Sequence, residues 1–214
     1  MIPQKSTILD SRIYIYESVV GQEVLYMPEY HFTDGNLIIL YAIHRISSID
    51  HGLPRHIDER IKTCIDTFRI IKQSKPDKHK TMIIIVANRK STQNIKDELV
   101  NAGVDEKIIA TDYISENVAQ TFDHILNIIK TKINPPYIYF VGSVWLRDIY
   151  DSIVASKLKG YRVQFQGALD HRPSEEVEMD KMLDIPNKGI GYYKRKAKDK
   201  TIDMLLNYIF PEGK

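Results

Sequence analysis

From residue 37 onward the chain alternates short, mainly apolar runs with longer segments whose apolar positions recur every three or four residues. The apolar runs cover residues 37–42, 81–87, 107–110, 137–141 and 161–165. Each is short and rich in Ile, Val and Tyr, which suits strands buried on both faces of a parallel sheet. Between them, Ile57, Ile61, Ile65, Phe68 and Ile71 fall on one helical face. Ile95, Leu99 and Ala102 do the same after Ser91, expected as the N-cap, and Gly103 stands where a C-cap glycine belongs. Val118, Phe122, Ile125 and Ile129 mark a third helix, and Ile149, Ile153 and Leu158 a fourth.

Strand–helix–strand repeated four times predicts a three-layer α/β/α sandwich around a mainly parallel sheet of about five strands, a Rossmann-like arrangement with right-handed crossovers. Ahead of it, the strand-like runs 12–16 and 23–27 predict a hairpin. Behind it, a polar start at Pro173-Ser174-Glu175-Glu176, a turn at 187–191, a basic run at 194–200 and an apolar pattern over 201–209 predict a helical extension. The expected organisation is an N-terminal extension (1–36), an α/β domain (37–171) and a C-terminal helical extension (172–214) packed on that domain.

Composition narrows this picture. The 214 residues carry 30 Lys+Arg against 28 Asp+Glu, a formal charge of +2, so bulk binding to nucleic acid is not expected. The single cysteine, Cys64, excludes an internal disulfide and reads as a small core residue. The N-terminus has no signal-like apolar run, and no stretch reaches the roughly 20 residues of a spanning helix, so a cytoplasmic protein without membrane contact is expected.

In open α/β sheets ligands bind beyond the carboxyl ends of the strands, where strand order reverses. The residues after the successive runs are His44 and Arg45; Asn88, Arg89 and Lys90; Asp112 and Ser115-Glu116-Asn117; Gly142, Ser143 and Arg147; and Gly167, Asp170, His171 and Arg172. Hydroxyls, amides and cations dominate, and several segments lead into helix N-termini, whose free N–H groups favour phosphate or carboxylate. Arginine adds bidentate geometry for the same groups. An anionic small molecule, nucleotide-like or phosphorylated, is therefore the expected ligand. Its expected binding residues are Arg60, Asn88, Arg89, Ser115, Asn117, Ser143 and Arg147. His44 and Asp112 are the candidates for acid–base catalysis.

Other features carry less. Ser115 is as well explained as a helix cap, and His124 reads as a solvated histidine off the apolar face of its helix. His51, His56 and Asp58 match no zinc spacing and read as a loop leading into a helix. There is no Gly-x-Gly-x-x-Gly after the first run of the sheet, no Gly-x-x-x-x-Gly-Lys-Ser/Thr and no Gly-x-Ser-x-Gly.

Between about residues 37 and 170 the order of pieces resembles the ElyC/SanA/YdcF family of Rossmann-like domains. Glu59-Arg60-Ile61 stands at the family's helix arginine, Gly103-Val104-Asp105-Glu106-Lys107-Ile108-Ile109 at its Gly-Val-x-x-x-x-Ile segment, and Ser115-Glu116-Asn117-Val118 at its Ser-x-Asn-Thr helix start. Gly142-Ser143-Val144-Trp145-Leu146-Arg147 stands at its Thr-Ser-x-x-His-x-x-Arg motif, whose arginine falls on Ile149, with Arg147 two positions before it. The family's glycine pair is replaced by Ala42-Ile43-His44-Arg45, its Ser-Gly-Gly by Ala87-Asn88-Arg89, and its histidine by Leu146. The resemblance implies a soluble protein binding S-adenosylmethionine or another nucleotide-like ligand, with transferase or hydrolase activity. The replaced glycines and histidine imply the alternative, an interaction or ligand-sensing protein that keeps the fold without the chemistry.

Overall fold

The computed structural model of the chain describes residues 13–17, 23–28, 35–44, 52–74, 81–131, 135 and 137–184. The chain divides into two compact units, Met1–His171 and Arg172–Lys214.

In the first unit the N-terminal runs form strands β1 (Ile13–Glu17) and β2 (Glu23–Pro28), paired antiparallel. The alternation that follows gives β3 (Asn36–Tyr41), helix α1 (Arg55–Ser74), β4 (Thr81–Val86), α2 (Arg89–Asn101), β5 (Ile109–Asp112), α3 (Val118–Thr131), β6 (Ile138–Ser143), α4 (Arg147–Lys157) and β7 (Val163–Ala168). Strands β3 to β7 form the expected five-stranded parallel sheet, in the order β5-β4-β3-β6-β7. Strand β2 joins it antiparallel at the β5 edge through Tyr26 and Thr111, making seven strands among the described residues.

Because successive strand residues point to opposite faces, the apolar runs fill two cores at once. Leu37, Ile39, Tyr41, Ile84 and Phe140 lie against α3 and α4, while Ile38, Leu40, Ile83, Ile85 and Val141 lie against α1 and α2. Burying each such side chain is worth about 1.5–3 kcal/mol. Phe140 is the hub of the first core, its ring 5.2 Å from Phe122, 5.5 Å from Tyr150, 5.7 Å from Tyr41 and 6.0 Å from Phe165. Burial in that cluster, first, and the neighbouring Asp151 push the Tyr150 hydroxyl up to about 12.

Strand β6 runs on to Ser143, past its expected end at 141, and three other boundaries shift for local reasons. Residues 107 and 108 belong to a short 3-10 turn, Glu106–Ile108, whose cap Asp105 accepts the Lys107 N–H at 3.0 Å, so β5 starts later and ends on Asp112. A turn through Gly160 (φ +99°), with Tyr161 N–H donating to Leu158 O, delays β7 to Val163. The N-cap position of α2 is Asn88, whose side chain makes no capping bond, and not Ser91, whose hydroxyl lies inside the first turn and donates to Asn88 O. Its other end matches expectation: Gly103 takes φ +90°, its N–H bonding Val100 O and that of Val104 bonding Leu99 O.

The second unit contributes helix α5 (Ser174–Asp184), and the guanidinium of Arg172 reaches Asp180 at 2.6 Å. The turn at 187–191, the basic run at 194–200, the final helix expected over 201–209, and Arg45 and His51 lie outside the described residues.

Candidate functional site

The chain leaves β3 in two directions. It proceeds to β4 and β5 with α1 and α2 on one face, then returns to the far side of β3 with β6 and β7, covered by α3 and α4. Strand order therefore reverses between β3 and β6, and in open α/β sheets the carboxyl ends of the strands at such a reversal are where ligands bind. Two polar centres stand along this rim.

The first is built on Arg60. It falls one turn after Ile57 on the face of α1 that packs on the sheet, and it is only 1 % exposed. A buried guanidinium stays charged and must be supplied with acceptors. Its Nη1 donates to the carbonyls of Tyr41 (3.1 Å) and Ile43 (3.3 Å) at the end of β3. Its Nε donates to Ser143 Oγ at 2.9 Å at the end of β6. The Ser143 hydroxyl passes its own proton to Asp170 Oδ2 (2.8 Å), which also accepts the indole N–H of Trp145 (3.0 Å). One hydroxyl thus connects a buried cation to a carboxylate across the β3–β6 reversal.

The second centre lies at the end of β5. Asp112, 1 % exposed, accepts the backbone N–H groups of Ile114 and Ser115 on Oδ1, both at 3.0 Å. Its Oδ2 takes the Ser115 hydroxyl at 2.6 Å and approaches His124 Nδ1 at 3.2 Å, with Ser115 Oγ 3.0 Å from the same ring nitrogen. Burial pushes the Asp112 carboxyl up, but His124, the Ser115 hydroxyl and the two backbone donors outweigh it, so the group titrates below its ordinary range. The bond from Asp112 raises the affinity of His124 for its proton, against a smaller loss from burial.

His124 is thus not the solvated histidine expected from its place off the apolar face. Its side chain is about one-third exposed and one ring edge is held by Asp112 and Ser115. Ser115 does not cap α3 either. Asn117 does, its Oδ1 accepting the Gln120 N–H at 2.9 Å, while Gln120 Oε1 takes the Glu116 N–H at 2.8 Å.

The other expected site residues occupy the same rim separately. The Asn88 amide donates to the carbonyl of His44, tying the end of β3 to the start of α2, and the His44 ring is buried. The guanidinium of Arg89 lies 5.4 Å from the centre of the Tyr113 ring. Arg147 opens α4 and lies 4.7 Å over Phe165. Cys64 is buried among apolar side chains, as expected, and burial raises its thiol far above the usual range. Among the described residues no group of three or more His, Cys, Asp and Glu side chains is placed to hold a metal ion. Sequence reasoning missed Trp145 and the pairing of His124. The only sequence signal for the latter is the polar Ser115-Glu116-Asn117 loop between Asp112 and α3.

No protein-family model, curated protein or solved structure matches this chain.

Proposed function

We propose that this protein binds a nucleotide-like or phosphorylated small molecule at the carboxyl ends of the parallel strands, with transferase or hydrolase chemistry as the reaction class. The strand order carries the reading: its reversal between β3 and β6 falls where Arg60 and Ser143 meet. Arg147, at the first position of α4, offers an exposed guanidinium just beyond the end of β6, suited to an anion. In this reading Arg60 fixes the floor of the site, and Ser143, Asn88, Arg89 and Arg147 face the ligand. The resemblance to the ElyC/SanA/YdcF family belongs to the same proposal and makes S-adenosylmethionine a candidate ligand. A cytoplasmic location does as well; no helix among the described residues is long and apolar enough to cross a membrane.

A second reading has its own observation. Arg60 already spends Nε and Nη1 on protein acceptors. That favours a ligand-sensing or interaction protein in which the buried cation is purely architectural.

Thermal unfolding against a panel of nucleotides, S-adenosylmethionine and sugar phosphates separates the two. Binding raises the melting temperature by mass action. Arg147→Ala combined with Arg89→Ala should weaken the response about ten-fold or more in ligand concentration. A flat response across the panel, with the double variant indistinguishable from the parent, favours the interaction protein of the second reading.

A further inference from the structure

We propose that His124 is a general acid–base residue of the rim, oriented by Asp112 and presenting its Nε2 to the ligand. The inference rests on the rim-site reading above and adds a catalytic group to it.

The hydrogen-bond pattern fixes the tautomer. The Ser115 hydroxyl has one proton, and the 2.6 Å contact places it on Asp112 Oδ2. An ionised carboxylate only accepts, so its 3.2 Å approach to His124 Nδ1 requires a proton on that nitrogen. The remaining lone pairs of Ser115 Oγ, 3.0 Å away, share the same proton. Neutral His124 is therefore protonated on Nδ1 and carries its lone pair on Nε2, the nitrogen that has no hydrogen bond to any described residue. A carboxylate behind Nδ1 with Nε2 open is the geometry in which imidazole works as a general base. Ser115 sits on the Nδ1 side, so it positions the ring and is not a nucleophile activated by it.

The charged groups around the ring agree with this role. Asp112 from β5 faces it directly, and Asp123, its neighbour on α3, adds negative potential while paired with Lys157 of α4 at 2.6 Å. Both favour the imidazolium that forms when Nε2 takes a proton. In a phosphoryl transfer, Nε2 takes the proton of a water or substrate hydroxyl as that oxygen bonds to phosphorus. The P–O bond to the leaving oxygen breaks with its electron pair, and that oxygen receives the proton back from the imidazolium. Asp112 remains a carboxylate throughout.

The test is nitrogen-15 NMR of the histidine rings, with and without inorganic phosphate. The expected result is an Nδ1–H tautomer for His124, a phosphate-induced shift at its Nε2, and apparent phosphate binding about ten-fold weaker in His124→Gln. An Nε2–H tautomer overturns the inference. So does a panel compound or phosphate that stabilises the protein while leaving the His124 ring unmoved; that outcome leaves the rim site standing. If no compound stabilises the protein and phosphate moves no signal, the rim-site reading fails and the inference fails with it. The tautomer and the phosphate-induced shift are read on the parent chain, so these two outcomes do not depend on the folding of the His124→Gln variant.

Discussion

The guanidinium of Arg60 and the hydroxyl of Ser143 meet at 2.9 Å from opposite sides of the strand-order reversal, one on a helix and the other at a strand end. Ser143 is both acceptor and donor there, since its proton goes on to Asp170. Ser143→Ala should therefore remove the hydroxyl that accepts from Arg60 Nε and one bond to Asp170. We expect a loss of about 1–3 kcal/mol in urea unfolding. A double-mutant cycle with Arg60→Met should be non-additive, by about 0.5–3 kcal/mol.

The Asp112–His124 pair should make stability depend on pH in two windows. His124 has a folded pKa raised above its ordinary 6.5, so its contribution is fully present below pH 6.5 and is lost as pH rises through the folded value. Asp112 has a folded pKa below its ordinary 3.8, so its contribution is present above that value and is lost as pH falls through the lower one. Chemical denaturation across pH should show both slopes. Asp112→Asn should flatten the one near neutrality, and a slope unchanged in that variant would assign it to another group.

Cys64 should be inert in the folded protein. Its side chain is fully buried, burial disfavours the reactive thiolate, and the surrounding residues are apolar. Ellman's reagent at pH 8 should react only as fast as the protein unfolds and at once in denaturant. Rapid reaction under native conditions would contradict the placement of α1 on the sheet.

Three glycines should respond to alanine for different reasons. A Cβ at Gly142 would stand 2.9 Å from Leu146 Cδ1 and 3.0 Å from Phe140 Cε1, and one at Gly167 would stand 2.9 Å from Val144 Cγ1. The first overpacks the end of β6 against the buried Leu146 and Phe140, with an expected cost of about 1–3 kcal/mol. At Gly167 the exposed Val144 side chain can turn away, and the cost should be smaller. Gly103 has open space around it but a φ of +90°, so its alanine variant should lose about 1–2 kcal/mol through backbone strain alone. Crystal structures of the first two should show displaced side chains, and that of Gly103→Ala a changed helix end.

The strands were legible because buried parallel strands are continuous apolar runs, and 37–42 or 81–87 can hardly be anything else once helical patterns flank them. The ends were less so. Asp105 and Gly160 set up local turns whose geometry depends on one capping bond or one positive φ, and these moved β5 and β7 by two residues. Of the site, the strand-end position of Asp112, Asn88 and Ser143 followed from the alternation. Their partners did not. Whether Asp112 meets His124 depends on the path of the loop at 113–117, and whether Arg60 meets Ser143 depends on how two distant segments dock. His124 looked solvated because periodicity records only apolar neighbours, whereas its neighbour here is a buried carboxylate.

The two polar centres differ in how far apart along the chain their parts lie, and this orders their assembly. Asp112, Ser115 and His124 fall within one β5–α3 unit, the hydroxyl and carboxylate three positions apart. Arg60 and Ser143 are separated by 83 positions. Loop closure over that distance must precede the contact, so the β5 centre can take shape with local structure while the Arg60 centre waits for β6 to dock against β3. During synthesis the chain through α3 already holds the first centre. The strand-order reversal between β3 and β6 comes into being only when the second half of the sheet arrives.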